Sequence, residues 1–174
     1  MIEIAILSVV QGVAEFLPIS SSGHLVIVQK LLGCGEGGLR LELCLHAGTL
    51  VSVFAFYWRE IARLVAGCIA FRREEWRYAL MLAASALPAV AVYFALGGAI
   101  ESAFEDVRLT GAMLVFTGLV LTLTRFMPRG GGAMDFLRSL LMGAGQALAL
   151  LPGVSRSGMT LACARAAKTD PEEA

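Results

Sequence analysis

Apolar residues dominate four stretches of the chain, Met1 to Leu17, Leu43 to Trp58, Ala79 to Ile100 and Leu109 to Thr124, with short polar segments between them. Long runs without strict alternation predict helices rather than strands. Ala79–Ile100 is the clearest, because its 22 residues carry no charge and a hydrocarbon core takes about 20 residues to cross. Pro88 inside it predicts a kink. Leu43–Trp58 contains His46 and closes on Trp58-Arg59-Glu60, an aromatic and charged interface marker. Ile61–Phe71 carries Arg63 and is too short to span, so it is expected to lie along the interface before the Arg72–Arg77 loop. The last span has its apolar body at Leu109–Thr124 and reaches Met127 with its fringe.

The N-terminal stretch breaks this pattern. Gln11, Glu15, Ser20-Ser21-Ser22 and His24 interrupt an apolar region that runs from Met1 to Leu32. Pro18 forces Leu17 out of helical geometry, and the serine run then offers N-caps for a second short helix. Two half-length helices around a polar break predict a re-entrant hairpin over 1–32, since non-helical backbone at membrane depth is tolerated where it lines a cavity. Gly33–Gly38 is expected to be a loop, as is the flexible Arg129–Gly132 connection.

Composition sharpens the class. With 57% hydrophobic and 16% charged residues and a mean hydropathy of +0.75, the chain reads as a polytopic membrane protein. Net charge is zero and the arginines are scattered over several loops, which excludes a nucleic-acid binder. Met1-Ile-Glu3 is not a basic leader, so the N-terminus is read as mature. Cys34, Cys44, Cys68 and Cys163 lack the spacing of a zinc or redox site. Many of the 19 glycines fall in apolar segments and favour close helix approach. Five arginines lie between Arg59 and Arg77 and three between Arg125 and Arg138, against one in the Glu101–Arg108 turn. The positive-inside rule therefore puts the first two regions in the cytoplasm, and the acidic turn and the N-terminus outside.

At an offset of 135 residues the chain matches itself: Gln11 falls on Gln146, Ile19 on Val154, Ser20 on Ser155, Ser22 on Ser157 and Gly23 on Gly158. The second copy enters from the opposite face to the first, as inverted-topology repeats do. The expected fold is an all-α integral membrane protein with an inverted-topology repeat and two re-entrant helical hairpins. The first repeat occupies 1–135, with hairpin 1–32 and spans 43–58, 79–100 and 109–127, and the second begins at 136–174. Asp170-Pro171-Glu172-Glu173 reads as the start of another helix, so the second repeat is expected to be incomplete and the parent chain to hold about 270 residues.

Intramembrane ionisable groups usually line a pathway or a site. Gln11 and Glu15 share a helix face, either as a structural hydrogen-bonded pair or with Glu15 as a base or cation ligand. Ser20–Ser22 and Ser155–Ser157 place hydroxyls and free N–H groups at two helix N-termini, where the dipole favours an anion. Arg156 offers a planar fork for phosphate oxygens, and Thr160, four residues on, a further hydroxyl. His24, one turn from the first cap, suits proton transfer, whereas His46 is read as a packed, hydrogen-bonded residue. Together these groups fit cleavage of a phosphate group on a lipid.

Gln11-x-x-x-Glu15 with Pro18-x-Ser20-Ser21-x-Gly23-His24, followed by Pro152-Gly-x-Ser155-Arg156-Ser157-x-x-Thr160, closely resembles the two signature motifs of the undecaprenyl-diphosphatase (bacitracin-resistance protein) family. The resemblance implies a bacterial inner-membrane, multi-pass enzyme that removes the terminal phosphate of undecaprenyl diphosphate and so recycles a cell-wall lipid carrier. It implies Glu15 and His24 as catalytic, Ser21 as nucleophile or phosphate ligand, Arg156 as phosphate clamp, and a divalent cation, Mg2+ or Ca2+, with Glu15 as its ligand. Gln11 stands where the family has glutamate or glutamine, and Gln11, Ser20, Ser22, Ser155, Ser157 and Thr160 are the expected substrate contacts. The expected partners are the bilayer and a polyprenyl diphosphate lipid, without nucleic acid, and a homodimer is allowed. The rival readings are a transporter or flippase of a phosphorylated polyprenyl lipid, and an inactive piece of the phosphatase.

Overall fold

The computed structural model describes residues 1–33, 38–128 and 130–169, and the side chains of 38–40 are left aside. The expectations placed on 34–37, Arg129 and 170–174, including the core of the glycine loop and the start of a further helix, lie outside the described residues. Those that are described form helices α1 (Ile2–Ala14), α2 (Ser21–Leu31), α3 (Gly38–Ile69), α4 (Arg73–Ala103), α5 (Val107–Thr124), α6 (Phe136–Leu148) and α7 (Arg156–Ala166). A single isolated bridge, Gly132 to Thr169, ties the chain before α6 to the end of α7.

Among the described residues three helices are long and apolar enough to cross a membrane: Leu41–Ile69 within α3, then α4 and α5. Large apolar side chains on them, such as Phe56, Phe94 and Leu119, point outward, as suits a protein whose surroundings are hydrocarbon. The other four helices have 11 to 13 residues, or roughly 16–20 Å at 1.5 Å per residue, and pack in consecutive pairs, α1 on α2 and α6 on α7.

The first pair exists because α1 stops at Ala14, four residues before Pro18, and α2 starts at the cap Ser20, whose Oγ accepts from the Gly23 N–H at 3.3 Å. The second pair is capped the same way, Ser155 Oγ accepting from the Gly158 N–H at 3.1 Å. Even the flanking hydroxyls repeat, with Ser20 and Ser22 at 3.3 Å and Ser155 and Ser157 at 3.2 Å. The two breaks meet at glycines: a Cβ on Gly23 would lie 2.6 Å from Gly153 Cα. Gly153 itself has φ +92, a conformation that glycine adopts at little cost, whereas Ser20 at φ 68 holds a strained one. Helix α5 packs against both α2 and α7, and its buried Thr110, Thr117 and Thr124, each seven residues from the next, form one stripe.

Three expectations change. Ile61–Phe71 is not a separate interfacial helix: α3 runs on through Ile69, because Arg59-Glu60 and Arg63 contain no breaker and Glu60 pairs with Arg63 at 2.9 Å one turn on. Charge marks where a helix leaves apolar surroundings; it does not end the helix. Helix α4 starts at Arg73 rather than Ala79, with Glu74 and Glu75 suiting the positive end of its dipole. Its non-helical residue is Leu96 (φ −128, ψ 16), immediately before Gly97-Gly98, while Pro88 keeps helical geometry where α6 packs closely at Gly143.

The glycine contact predicts a sharp contrast. Gly23→Ala is expected to cost about 1–3 kcal/mol through overpacking and to lower the melting temperature in detergent. Gly12→Ala, where a new methyl meets nothing within 4 Å, should leave it unchanged. Equal thermal shifts for the two variants would contradict the close approach of the breaks.

Candidate functional site

The two helix breaks line one cavity of about 920 Å³, walled on its far side by Tyr93, Ile100 and Glu101 of α4 and by Phe104. Glu15, Ser20, Ser21 and Ser22 face it from the first break, and Ser155, Arg156, Ser157 and Thr160 from the second. The 135-residue match puts Ser21 and Arg156 at the same register, the residue directly after the capping serine. One break thus presents a hydroxyl where the other presents a guanidinium.

Glu15 is the hub. Its Oε2 accepts from the Ser21 hydroxyl and from Gln11 Nε2 at 3.1 Å, and lies 3.6 Å from His46 Nε2. Gln11 does not reach the cavity: it is 1% exposed, also donates to Thr49 Oγ1 at 3.3 Å, and leaves its Oε1 buried without a partner. It holds the carboxylate from behind.

The histidines exchange places relative to expectation. His24 does not line the cavity, and its Nδ1 lies 2.7 Å from the Ser20 carbonyl, where it braces the strained cap. His46 does line the cavity, with Nδ1 2.8 Å from the Glu42 carbonyl and Nε2 turned to Glu15. A carbonyl only accepts, so in each ring Nδ1 carries the proton. The sequence could not assign these positions, because both rings sit on helices and only the packing of α3 against α1 brings His46 to Glu15.

Arg156 is exposed to the cavity and has no ion-pair partner among the described residues. Thr160 donates to the Arg156 carbonyl at 3.0 Å, so its hydroxyl proton is not available to an anion. The donors left over are the guanidinium and the N–H groups of Ser21, Ser22, Arg156 and Ser157, which begin two helices and lack intrahelical acceptors. All of these groups are hydrogen-bond donors gathered beside one cavity.

Sequence reasoning missed two supports. Thr117 Oγ1 donates to the Gly153 carbonyl at 2.8 Å and accepts from the Ser155 N–H at 3.2 Å, fixing the second break on both sides of Val154. Its heptad-spaced threonine stripe in an otherwise apolar helix was the available signal. Glu42, 5% exposed, lines the cavity wall and takes a hydrogen bond from Gln29 Nε2 at 3.4 Å. A carboxylate opening an apolar span should have drawn the eye.

The described residues thus form an all-helical membrane protein in which three helices long and apolar enough to span stand beside two pairs of half-length helices, with one cavity carrying polar side chains at the two breaks. Residues 4–174 match the family model of the bacitracin resistance protein BacA, and the chain belongs to that family. It is 37% identical to an undecaprenyl-diphosphatase of Salinibacter ruber over 99% of this chain and 69% of that protein. Undecaprenyl-diphosphatases of Methanosphaera stadtmanae and Rhodopirellula baltica are each 40% identical, over 90% and 92% of this chain and 63% and 61% of theirs. The chain thus spans between three fifths and seven tenths of the length of these relatives.

Thr117 gives the site a direct test. Thr117→Val strands a buried carbonyl and a buried N–H and should cost about 1–3 kcal/mol for each group left unpaired. Thr117→Ser keeps the hydroxyl and should restore most of the thermal stability. Two variants that melt alike would remove Thr117 from its supporting role.

Proposed function

We propose that the chain carries the phosphate-cleaving site of an inner-membrane, multi-pass phosphatase that converts undecaprenyl diphosphate to undecaprenyl phosphate and inorganic phosphate. The observation that carries this reading is the Ser21–Glu15 hydrogen bond facing an unpaired Arg156 across one cavity. The names of the relatives point to the same reaction. The pairs α1/α2 and α6/α7 are read as re-entrant hairpins of an inverted repeat, a reading supported by caps built from the same serines and glycines.

The terminal phosphate sits between the breaks, its oxygens held by the Arg156 guanidinium and the free N–H groups of the two helix ends. Ser21 Oγ attacks the terminal phosphorus while its proton passes to Glu15. The Ser–O–P bond forms, the bridging P–O bond breaks, and undecaprenyl phosphate leaves. The proton on Glu15 leaves with the undecaprenyl phosphate oxygen, and the regenerated Glu15 carboxylate takes a proton from water as that water attacks the phosphoserine, the Ser21 O–P bond breaks and phosphate is released. The geometry favours this over direct attack by water, because the Ser21 hydroxyl already donates to the carboxylate. His24 serves by holding the cap rather than by touching the phosphate.

Mg2+ or Ca2+ fits the donor set. Among the described residues no group of three or more His, Cys, Asp or Glu could hold a metal, so Glu15 would supply the protein carboxylate and substrate phosphate oxygens and water the remainder. When bound, such an ion neutralises phosphate charge.

The assay is phosphate release from undecaprenyl diphosphate in detergent with magnesium, run on this chain and on a form extended to the length of its relatives. In whichever form is active, Arg156→Ala and Ser21→Ala should each lower kcat by about 10²-fold or more with the fold intact. An Arg156→Ala protein of undiminished activity would reject the scheme. Lipid binding without phosphate release by either form would favour a transporter.

A further inference from the structure

A second concavity lies at the other end of α4, in the wedge between the α3–α4 turn and the start of α6, and shares no lining residue with the cavity above. It measures about 600 Å³. Its chemistry changes in order along one helix face. Arg73 and Arg77, one turn apart, stand at the top; Leu80 and Met81 continue below, and Phe136 closes the opposite side. At 1.5 Å per residue, Leu80 lies about 10 Å below Arg73, the distance from a phospholipid phosphate to its first acyl carbons or a little beyond.

The charge at the top is available. Arg73 has no ion pair among the described residues, and Arg77 spends one Nη2 donor on the Met134 carbonyl at 3.1 Å. One carboxylate, Asp135, also lines the wedge, but it is neutralised within α6, accepting from the Arg138 N–H at 2.8 Å and pairing with the Arg138 side chain at 3.6 Å, while Glu75 pairs with Arg72 at 3.7 Å. Only Glu74 stays uncommitted, and it does not line the wedge. The aromatic rim is built in. Phe71 takes a left-handed φ of 52 that exposes its ring, stacks on Trp76 at 6.4 Å, and Trp76 Nε1 is held on the Cys68 carbonyl at 2.8 Å. The left-handed Phe71 closes α3 in a Schellman turn, with the Phe71 N–H on the Cys68 carbonyl at 3.1 Å and the Arg72 N–H on the Gly67 carbonyl at 2.9 Å, and this turn leaves the ring exposed beside Trp76.

We infer that this wedge binds one anionic phospholipid of the phosphatidylglycerol type, its phosphate on Arg73 and Arg77 and an acyl chain against Leu80 and Phe136. The charge complementarity of two arginines above an apolar floor selects this occupant over a zwitterionic lipid, and the aromatic rim sits where tryptophan and phenylalanine meet the headgroup layer. The site is independent of the phosphatase reading.

Trp76 reports on it. In a Trp58→Phe background, leaving Trp76 as the sole tryptophan, the purified protein is titrated with mixed micelles holding brominated phosphatidylglycerol or brominated phosphatidylcholine. Quenching of Trp76 should require about fivefold less of the anionic lipid for each arginine engaged. Arg73→Gln, which breaks no internal contact, should remove about fivefold of that preference, and Arg73→Gln with Arg77→Gln nearly all of it. Equal quenching by the two lipids, or a preference that survives both substitutions, would overturn the inference. So would loss of quenching as protein concentration rises, because a second copy of the chain would then cover the wedge.

Discussion

Two helix ends buried inside the protein set the terms for everything else. Where α1 gives way to α2 and α6 to α7, Ser20, Ser21, Gly153, Val154 and Ser155 are buried, and their backbone N–H and C=O groups need partners. Ser20 and Ser155 take the third N–H of their helices, and Thr117 takes both the Gly153 carbonyl and the Ser155 N–H. The glycine contact between Gly23 and Gly153 lets the breaks come close enough to share one cavity. What the caps leave unsatisfied lies beside that cavity with the Arg156 guanidinium, and the anion site proposed above is made of these groups.

Glu15 depends on the same arrangement. A carboxylate inside an apolar bundle is tolerable only when it is held by donors, and two residues supply them, Gln11 from its own helix and Ser21 from across the break, while the His46 ring of α3 lies 3.6 Å away. Each contact also fixes a direction. Gln11, itself buried, and Ser21 donate to the same oxygen, Oε2, and so hold one edge of the carboxylate. The mirror position in the second break, by the 135-residue match, is Leu150, which cannot play that part. The matched positions of the two breaks therefore carry different groups, Glu15 and Ser21 in the first against Leu150 and Arg156 in the second.

The long helices carry less information and more surface. Helix α4 packs most extensively on α6, yet Pro88 does not break it and the departure from helical geometry falls at Leu96. A proline's missing N–H and crowded ring bend a helix only where neighbours permit, and close packing at Gly143 holds that stretch straight, while Gly97-Gly98 gives way. Helix α3 likewise ignores the charged patch that was read as its end, since arginine and glutamate are good helix formers and pair along the helix.

By itself the sequence determined the all-helical membrane class, the two breaks, the serine caps and most of the residues facing the cavity. Those features are local: hydrophobic length decides whether a segment spans, proline and serine decide where a helix stops and restarts, and a repeated motif marks a repeated structure. Which histidine reaches Glu15, that Gln11 works from behind it, that Thr160 turns its proton to the backbone and that Thr117 clamps the second break were decided only by tertiary packing. Sequence spacing orders residues along one helix, but contacts between helices depend on their relative rotation and approach. In this protein glycines and threonines set that approach, and neither residue type announces its partner.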